Sequence, residues 1–203
     1  MSETMWDVVG TLGFALMIGL VILVMKLISR VVDRVTARAY TPLAQAVGGQ
    51  VDPRGPWIVM THRGWHLRAA LDPQTNIGIG ETSRSIKTFW VQVLDVPGRT
   101  DWEVNYFVTG ILGGGVPELA LISSDHMLAS RLTGSGVTQV VAAGSSPTTY
   151  YKPAHYEARG RTMKLVDDVS QHGLPTPDSL LRSAELAVRL AEINVTENPP
   201  LSQ

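Results

Sequence analysis

The sequence contains no cysteine, and this absence excludes disulfide bonds and metal sites held by thiolates. A chain without cysteine fits a reducing compartment, so the composition favours a cytoplasmic location for the folded part. The formal net charge is only −1, and the aromatic residues do not alternate with cations along the chain. Both observations argue against a nucleic-acid-binding protein.

Recognisable catalytic signatures are also missing. The run Gly113–Gly115 lacks the lysine and the following helix of a phosphate-binding loop. His62 and His66 have no nearby acidic residue to complete a metal site. A membrane-bound hydrolase is one hypothesis to consider, because a Ser–Asp–His grouping exists at Ser123, Asp125 and His126. These three residues are adjacent in sequence, and such neighbours rarely have the mutual geometry of a catalytic triad. We therefore expect no catalytic residue, no metal and no cofactor, and a protein that is not an enzyme.

Positive charge is absent from the first 25 residues, where Glu3 and Asp7 are the only charged side chains. The run from Val8 to Met25 is uncharged and almost wholly apolar, and as a helix it would span roughly 27 Å. This length approaches the ~30 Å hydrocarbon core of a bilayer. A signal peptide would carry cations before the run and a cleavage site after it. The sequence thus predicts a permanent single-pass transmembrane anchor.

Four cations follow the run at a spacing of four residues. By the positive-inside rule they place the C-terminal domain in the cytoplasm and the N-terminus outside the inner membrane. We expect a membrane interface formed with anionic lipid headgroups by Trp6, Lys26, Arg30, Arg34 and Arg38.

Small residues interrupt the apolar run. They would let neighbouring helices of other membrane subunits approach closely, which predicts helix packing at Gly10, Gly13 and Gly19. The alternative reading is that glycine is simply frequent in membrane helices.

Three regions are predicted along the chain: an anchor with a juxtamembrane helix over residues 1–40, a soluble domain over 41–194, and a polar tail over 195–203. Thr41-Pro42 has the chemistry of a helix start, so we expect a bend near Tyr40 and a short helix ending at Gly48-Gly49. Expected fold class is α+β: a single transmembrane helix with a helical stalk, then a small antiparallel-sheet domain closed by a C-terminal helix.

Within the soluble domain, Arg63-Gly64 predicts a hairpin between Trp57–His62 and Trp65–Leu71. Thr176-Pro177 predicts the start of a long helix running to about Asn194. Further strands are expected over residues 86–94, 102–108, 118–122, 148–151, 156–159 and 162–166, and a short helix over 125–132 capped by Ser123 or Ser124. Residues 137–142 fit a strand and a helix equally well.

Four of the five tryptophans fall on predicted strands. Most should fill the core of a small sheet domain, and one or two could anchor a partner, since tryptophan is enriched at binding hot spots. The candidates for partner binding are Trp57, Trp65, Trp90 and Trp102.

Several of these motifs together resemble an uncharacterised bacterial module that often follows a membrane helix. The resemblance rests on Leu43-Ala44 with Gly48-Gly49, on the Trp57–Leu71 hairpin, and on the Leu186–Asn194 helix. It implies the fold described above and no particular chemistry.

Two functions remain in competition. The first is a non-catalytic accessory subunit that stabilises a larger membrane complex, with photosynthetic reaction-centre–antenna complexes as the first expectation and respiratory complexes as the second. The alternative is a membrane-tethered ligand-binding or regulatory module. Its pocket would lie under the Asp72–Ser85 loop and offer an anion Arg68, Arg84 and Lys87.

Overall fold

A computed structural model describes residues 3–53, 55–77, 84–109, 116–144, 152–168 and 174–200. These residues form an α+β fold of four helices and one antiparallel sheet of eight strands. The Gly113–Gly115 run and the strand expected over 148–151 lie outside the described residues.

Helix α1 (Glu3–Ala46) is one continuous helix of 44 residues. The expected new helix start at Thr41-Pro42 is wrong, because Pro42 lies inside α1. The expected bend near Tyr40 stays a prediction. Arg38, whose carbonyl would accept the bond that Pro42 cannot donate, is exposed to water. The Thr41 hydroxyl donates to the Ala37 carbonyl at 2.9 Å and does not cap a new helix.

The predicted transmembrane anchor is also wrong. Across the described residues, no helix is long and apolar enough to cross a membrane. The single-pass inner-membrane topology, with its outside N-terminus and cytoplasmic C-terminal domain, is corrected accordingly.

The strands follow the order β1-β2-β3-β4-β8-β7-β5-β6 across the sheet, and every pairing is antiparallel. The expected hairpin is present: Arg63 and Gly64 both have positive φ, 49° and 82°, as a tight two-residue turn requires. Strand bounds are β1 Gln50–Val51, β2 Ile58–His62, β3 Trp65–Ile77, β4 Arg84–Val93, β5 Trp102–Thr109, β6 Val116–Ser123, β7 Ala154–Glu157 and β8 Thr162–Asp168.

Three further helices complete the fold: α2 (His126–Gly134), α3 (Val137–Gly144) and α4 (Pro177–Glu197). The cap of α2 is Asp125, not Ser123 or Ser124, and its carboxylate accepts the backbone N–H groups of Met127 and Leu128. Thr176 caps α4 as expected. The ambiguous segment 137–142 is helical.

The core lies between one face of the sheet and helices α2, α3 and α4. Side chains from the three helices meet buried strand residues there, including Leu128, Leu132, Val140, Val141, Leu180, Ala184, Ala187 and Leu190. Asn194 is a fully buried polar residue of α4. Its amide oxygen accepts the indole N–H of Trp102 at 2.7 Å, and its amide nitrogen donates to the Pro97 carbonyl at 2.9 Å. The α4 helix is thereby tied to the loop between β4 and β5.

Candidate functional site

Helix α1 carries the largest exposed apolar surface in the described part of the chain. Fifteen large apolar side chains between Phe14 and Val35 are 44–72 % exposed. Side chains about half exposed, in this number, present on the order of 1,000 Å² of apolar area, whereas the largest patch on a typical monomer is roughly 300–600 Å². We call this surface, residues 14–35 of α1, the α1 apolar surface.

The α1 apolar surface has two parts. Over residues 16–25 it surrounds the helix, since every turn contributes exposed apolar side chains in all directions. A helix that is apolar all round is stable only when it is covered all round. The second part, from Lys26 onward, is apolar on one side and contains a groove of about 330 Å³ lined by Leu23, Val24, Leu27, Ile28, Val31 and Val32.

Cations share the second part of the helix. Lys26, Arg30, Arg34 and Arg38 are all exposed, and in the structure as described none of them forms an ion pair. Asp33 is the one acidic residue in their midst. The predicted contact of these cations with lipid headgroups stays a prediction.

The base of α1 is anchored in the folded domain. Tyr40, Leu43 and Ala44 are buried in the core. The Tyr40 hydroxyl accepts the backbone N–H of Leu71 in β3 at 2.8 Å. Burial raises the pKa of Tyr40, so the hydroxyl is neutral at physiological pH. These contacts fix the direction in which α1 leaves the sheet.

The predicted helix-packing and interface residues are only partly described. The side chains of Trp6, Gly10 and Gly13 lie outside the described residues, although their backbone belongs to α1. Gly19 is described, and a Cβ atom added to it would meet nothing within 4 Å. Its side of the helix is therefore open to a partner.

The four tryptophans that were candidates for partner binding divide into two groups, and Trp57 lies just before β2 instead of on the predicted strand. Trp102 is buried and bonded to Asn194, so it belongs to the core. Trp57, Trp65 and Trp90 are half-buried. A cation stacks on two of these: the Arg68 guanidinium lies 5.5 Å from the Trp57 ring centroid, and the Lys164 ammonium lies 5.2 Å from that of Trp90. A cation therefore lies over the ring of Trp57 and over that of Trp90. The predicted role of these residues in partner binding stays a prediction.

The histidines of the hairpin do not form a metal site. The His62 ring nitrogen Nε2 lies 2.8 Å from a carboxylate oxygen of Glu185 in α4, and the Arg63 guanidinium binds the other oxygen at 2.7 Å. His66 approaches Thr61 on the opposite strand. The described residues hold no group of three or more potential metal ligands. The hydrogen bond from His62, then the charge of Arg63, lowers the pKa of Glu185.

The Ser–Asp–His grouping does not form a catalytic relay. The Ser123 hydroxyl donates to the Asp101 carbonyl at 3.0 Å and accepts the N–H of Asp125. The Asp125 carboxylate caps α2, and the backbone N–H of Leu128 is the main reason that its pKa is lowered. Both groups are engaged in local structure, so the hydrolase hypothesis has no support from this geometry.

A cluster of polar side chains lies on the face of the sheet opposite the helices, around Glu103 and His155. Burial raises the pKa of Glu103, but hydrogen bonds from Lys152, at 2.6 Å, and from Asn105 outweigh that effect and lower it overall. Burial, and then the charge of Lys164, lowers the pKa of His155 and keeps the ring neutral at pH 7. Glu103 is thus committed to its cation and is not free to act as a general base.

Sequence reasoning missed the contact between the hairpin and α4. His62 and Arg63 are more than 120 residues away from Glu185 in the chain. Nothing local to either segment indicates that they meet. The one available signal was the charge pattern of α4, where Glu185 and Glu192 lie seven residues apart on one side of the helix.

Comparisons with protein-family models, with curated proteins and with solved structures give no match for this chain. The resemblance to an uncharacterised bacterial module therefore stays a prediction.

Proposed function

We propose that the protein is a non-catalytic accessory subunit that stabilises a larger complex, and that it binds this complex through the α1 apolar surface. The observation that carries the proposal is the exposure of fifteen large apolar side chains on one helix. Removing apolar area from water contributes roughly 25 cal/mol per Å², so covering even half of this surface would favour association strongly.

The shape of the surface specifies the partner. Because residues 16–25 are apolar in every direction, a single flat partner would leave the far side of the helix in water. A cleft between two or more apolar helices would cover it completely. The open side at Gly19 allows one of those helices to approach closely.

The exposed cations of α1 indicate which charge the partner should carry. Lys26, Arg30, Arg34 and Arg38 are exposed and adjoin the apolar groove. Acidic residues beside the apolar helices of the partner would complement them and would set the orientation of α1 in its cleft.

Photosynthetic reaction-centre–antenna complexes are the first assemblies in which to look for the protein, and respiratory complexes the second. The role in either would be structural, for the chain has no cysteine and α1 has no histidine with which to ligate a pigment, haem or iron–sulfur cluster. Deleting the gene should then weaken the assembly of the complex and leave the chemistry of its isolated core unchanged.

The test is purification of the tagged full-length protein from its source in mild detergent, followed by mass measurement and identification of partners. We expect a complex much larger than 22.0 kDa with a fixed ratio of helical subunits to this chain. The double variant Leu20→Lys/Leu23→Lys should elute as the free chain. A matched control, Gln45→Lys/Ala46→Lys, adds the same two charges at exposed positions near the base of α1 and should remain in the complex.

Three outcomes would contradict the proposal. The first is a free wild-type chain under these conditions. The second is an assembly that contains only copies of this chain. The third is a Leu20→Lys/Leu23→Lys variant that stays in the complex as well as the control does.

A further inference from the structure

The face of the sheet opposite α2, α3 and α4 carries a continuous row of cross-strand partners. The pairings join one residue from each of the eight strands along this face, in the order Gln50, Val59, Arg68, Gln92, Lys164, His155, Glu103 and Ile122. Among the described residues, Arg68 near the β1 end of the row makes no ion pair, whereas Glu103 near the other end is paired with Lys152.

A cleft of about 550 Å³ lies at the β1–β3 end of this row, beside the turn that leads out of α1. The volume is within the ~300–1,000 Å³ range of small-molecule sites. Gly48, Gly49, Val59 and Leu94 are among the residues that line it and give it apolar surface. We call it the β1–β3 cleft.

The polar groups that line the β1–β3 cleft are those of a site for an anion. They are the Arg68 guanidinium, the Gln50 amide, the Thr61 hydroxyl and the His66 ring. No aspartate or glutamate is among the described residues that line it. A guanidinium offers paired donors that match the two oxygens of a carboxylate or a phosphate.

Arg68 is held in place without being neutralised. Its guanidinium stacks on Trp57, and in the described part of the structure it makes no ion pair. The indole ring of Trp57 packs closely against Gly55, because a Cβ atom added to this glycine would lie 2.5 Å from the ring. Stacking leaves the edge of the guanidinium, which carries its N–H donors, free for a ligand. A fixed side chain loses little entropy on binding, which favours affinity.

We propose that the β1–β3 cleft binds a small organic anion, with its carboxylate or phosphate on Arg68 and Gln50 and its apolar body on Val59 and Leu94. The proposal is independent of the α1 apolar surface, because none of the cleft residues belongs to α1. The described residues that line the cleft lie at positions 48–50, 59–61, 66–68 and 94, apart from the Asp72–Ser85 loop.

The test is calorimetric titration of the full-length protein at constant ionic strength with inorganic phosphate, phenyl phosphate, benzoate and benzamidine. Phenyl phosphate or benzoate should bind at millimolar or lower concentration. Phenyl phosphate should bind about tenfold more tightly than inorganic phosphate, because its ring covers the apolar part of the lining. Benzamidine has the same shape with a positive charge and should not bind. Comparison of phenyl phosphate with benzoate identifies the preferred anionic group.

Two variants and one control locate the site. Arg68→Gln should weaken binding about tenfold or more, because a charge-assisted hydrogen bond is lost. Gln50→Ala, at an exposed position of an edge strand, should weaken it severalfold without affecting folding. Lys164→Gln is the matched control: it removes a half-buried cation that stacks on Trp90 on the same face but lies outside the cleft. Its affinity should equal that of the wild type.

The proposal is overturned if neither organic anion binds at ~10 mM. It is also overturned if Arg68→Gln and Lys164→Gln weaken binding equally, because that result indicates general attraction to a positive face. Binding of benzamidine as tight as that of benzoate would likewise exclude an anion site. None of these results bears on whether α1 assembles with a larger complex.

Discussion

Replacing Asn194 with alanine should be among the most destabilising single changes in this chain. Asn194 is fully buried in α4, and its amide makes three hydrogen bonds, with Trp102, Pro97 and Asn198. Alanine has no amide, so the indole N–H of Trp102 loses its acceptor and the Pro97 carbonyl loses its donor. In the described structure, neither the Trp102 indole N–H nor the Pro97 carbonyl has another hydrogen-bond partner.

The magnitude follows from the cost of unpaired buried groups. Each buried donor or acceptor left without a partner costs about 1–3 kcal/mol. With two groups unpaired and one further bond lost, we expect a fall of about 3–5 kcal/mol in the free energy of unfolding. This is a large part of the ~5–15 kcal/mol that is typical of a folded domain. At roughly 2–4 °C per kcal/mol, the melting temperature should fall by about 10 °C.

Urea unfolding followed by circular dichroism measures this change, and Arg189→Ala, at an exposed position of the same helix, is the control. A double-mutant cycle of Asn194→Ala with Trp102→Phe isolates the bond to the indole. The two changes should destabilise less together than the sum of their separate effects, since phenylalanine has no N–H to leave unpaired. A loss below about 1 kcal/mol for Asn194→Ala, or strict additivity in the cycle, would refute the reasoning.

Two further changes test the other contacts that tie the elements together. Tyr40→Phe removes the acceptor of the Leu71 N–H and should lower the free energy of unfolding, measured in urea, by about 1–2 kcal/mol. Thr41→Ala is the control and should be nearly neutral. Equal effects of the two changes would argue against the Tyr40 contact. Glu185→Gln tests the hairpin contact through pH. The pKa of Glu185 is lowered in the folded state, so its contribution is present above the unfolded value near ~4.3 and is lost as pH falls through the folded value. Because the pair is about half exposed, the difference in unfolding free energy between wild type and variant should be under about 1 kcal/mol at pH 7. It should shrink as the pH falls below the unfolded value, whereas a difference that does not change with pH would contradict the assignment.

Local chemistry explains which strands could be predicted. The turn at Arg63-Gly64 needs two residues with positive φ, and glycine next to a polar residue between two apolar segments is a direct signal for it. Likewise, Thr176-Pro177 specifies the start of α4 through a side-chain cap and a preset φ. Both features depend on residues within a few positions of one another.

The order of the strands depends on contacts that the sequence does not bring together. Strand β5 follows β4 along the chain, yet it pairs with β7 and β6, and β8 lies beside β4. The pairing of β4 with β8 joins segments about 75 residues apart, such as Trp90 and Val166. The side chains on both strands fit either neighbour by periodicity alone. Both strands also contact α4, and no local pattern of the sequence indicates that contact.

The error at Thr41-Pro42 has a related cause. The same dipeptide opens α4 at Thr176-Pro177. At Thr41-Pro42, by contrast, a long apolar helix precedes the dipeptide, and Leu43 and Ala44 after it are buried in the core. Continuing the helix places both residues against β1 and β2. Burial of these side chains and of Tyr40 therefore outweighs the hydrogen bond that Pro42 removes.

The apolar run of α1 shows why periodicity alone cannot assign the surroundings of a helix. A helix that spans a bilayer and a helix that is enclosed by protein are both apolar all round, and they differ in how long the uncharged segment is. The uncharged run Val8–Met25 has 18 residues, so its length alone does not separate the two surroundings. In the assembly that we propose, the cations that follow would face acidic residues of the partner. An assembly that covers residues 16–25 and pairs acidic side chains with the cations satisfies both parts of the helix at once, which neither water nor a second copy of this basic helix would do.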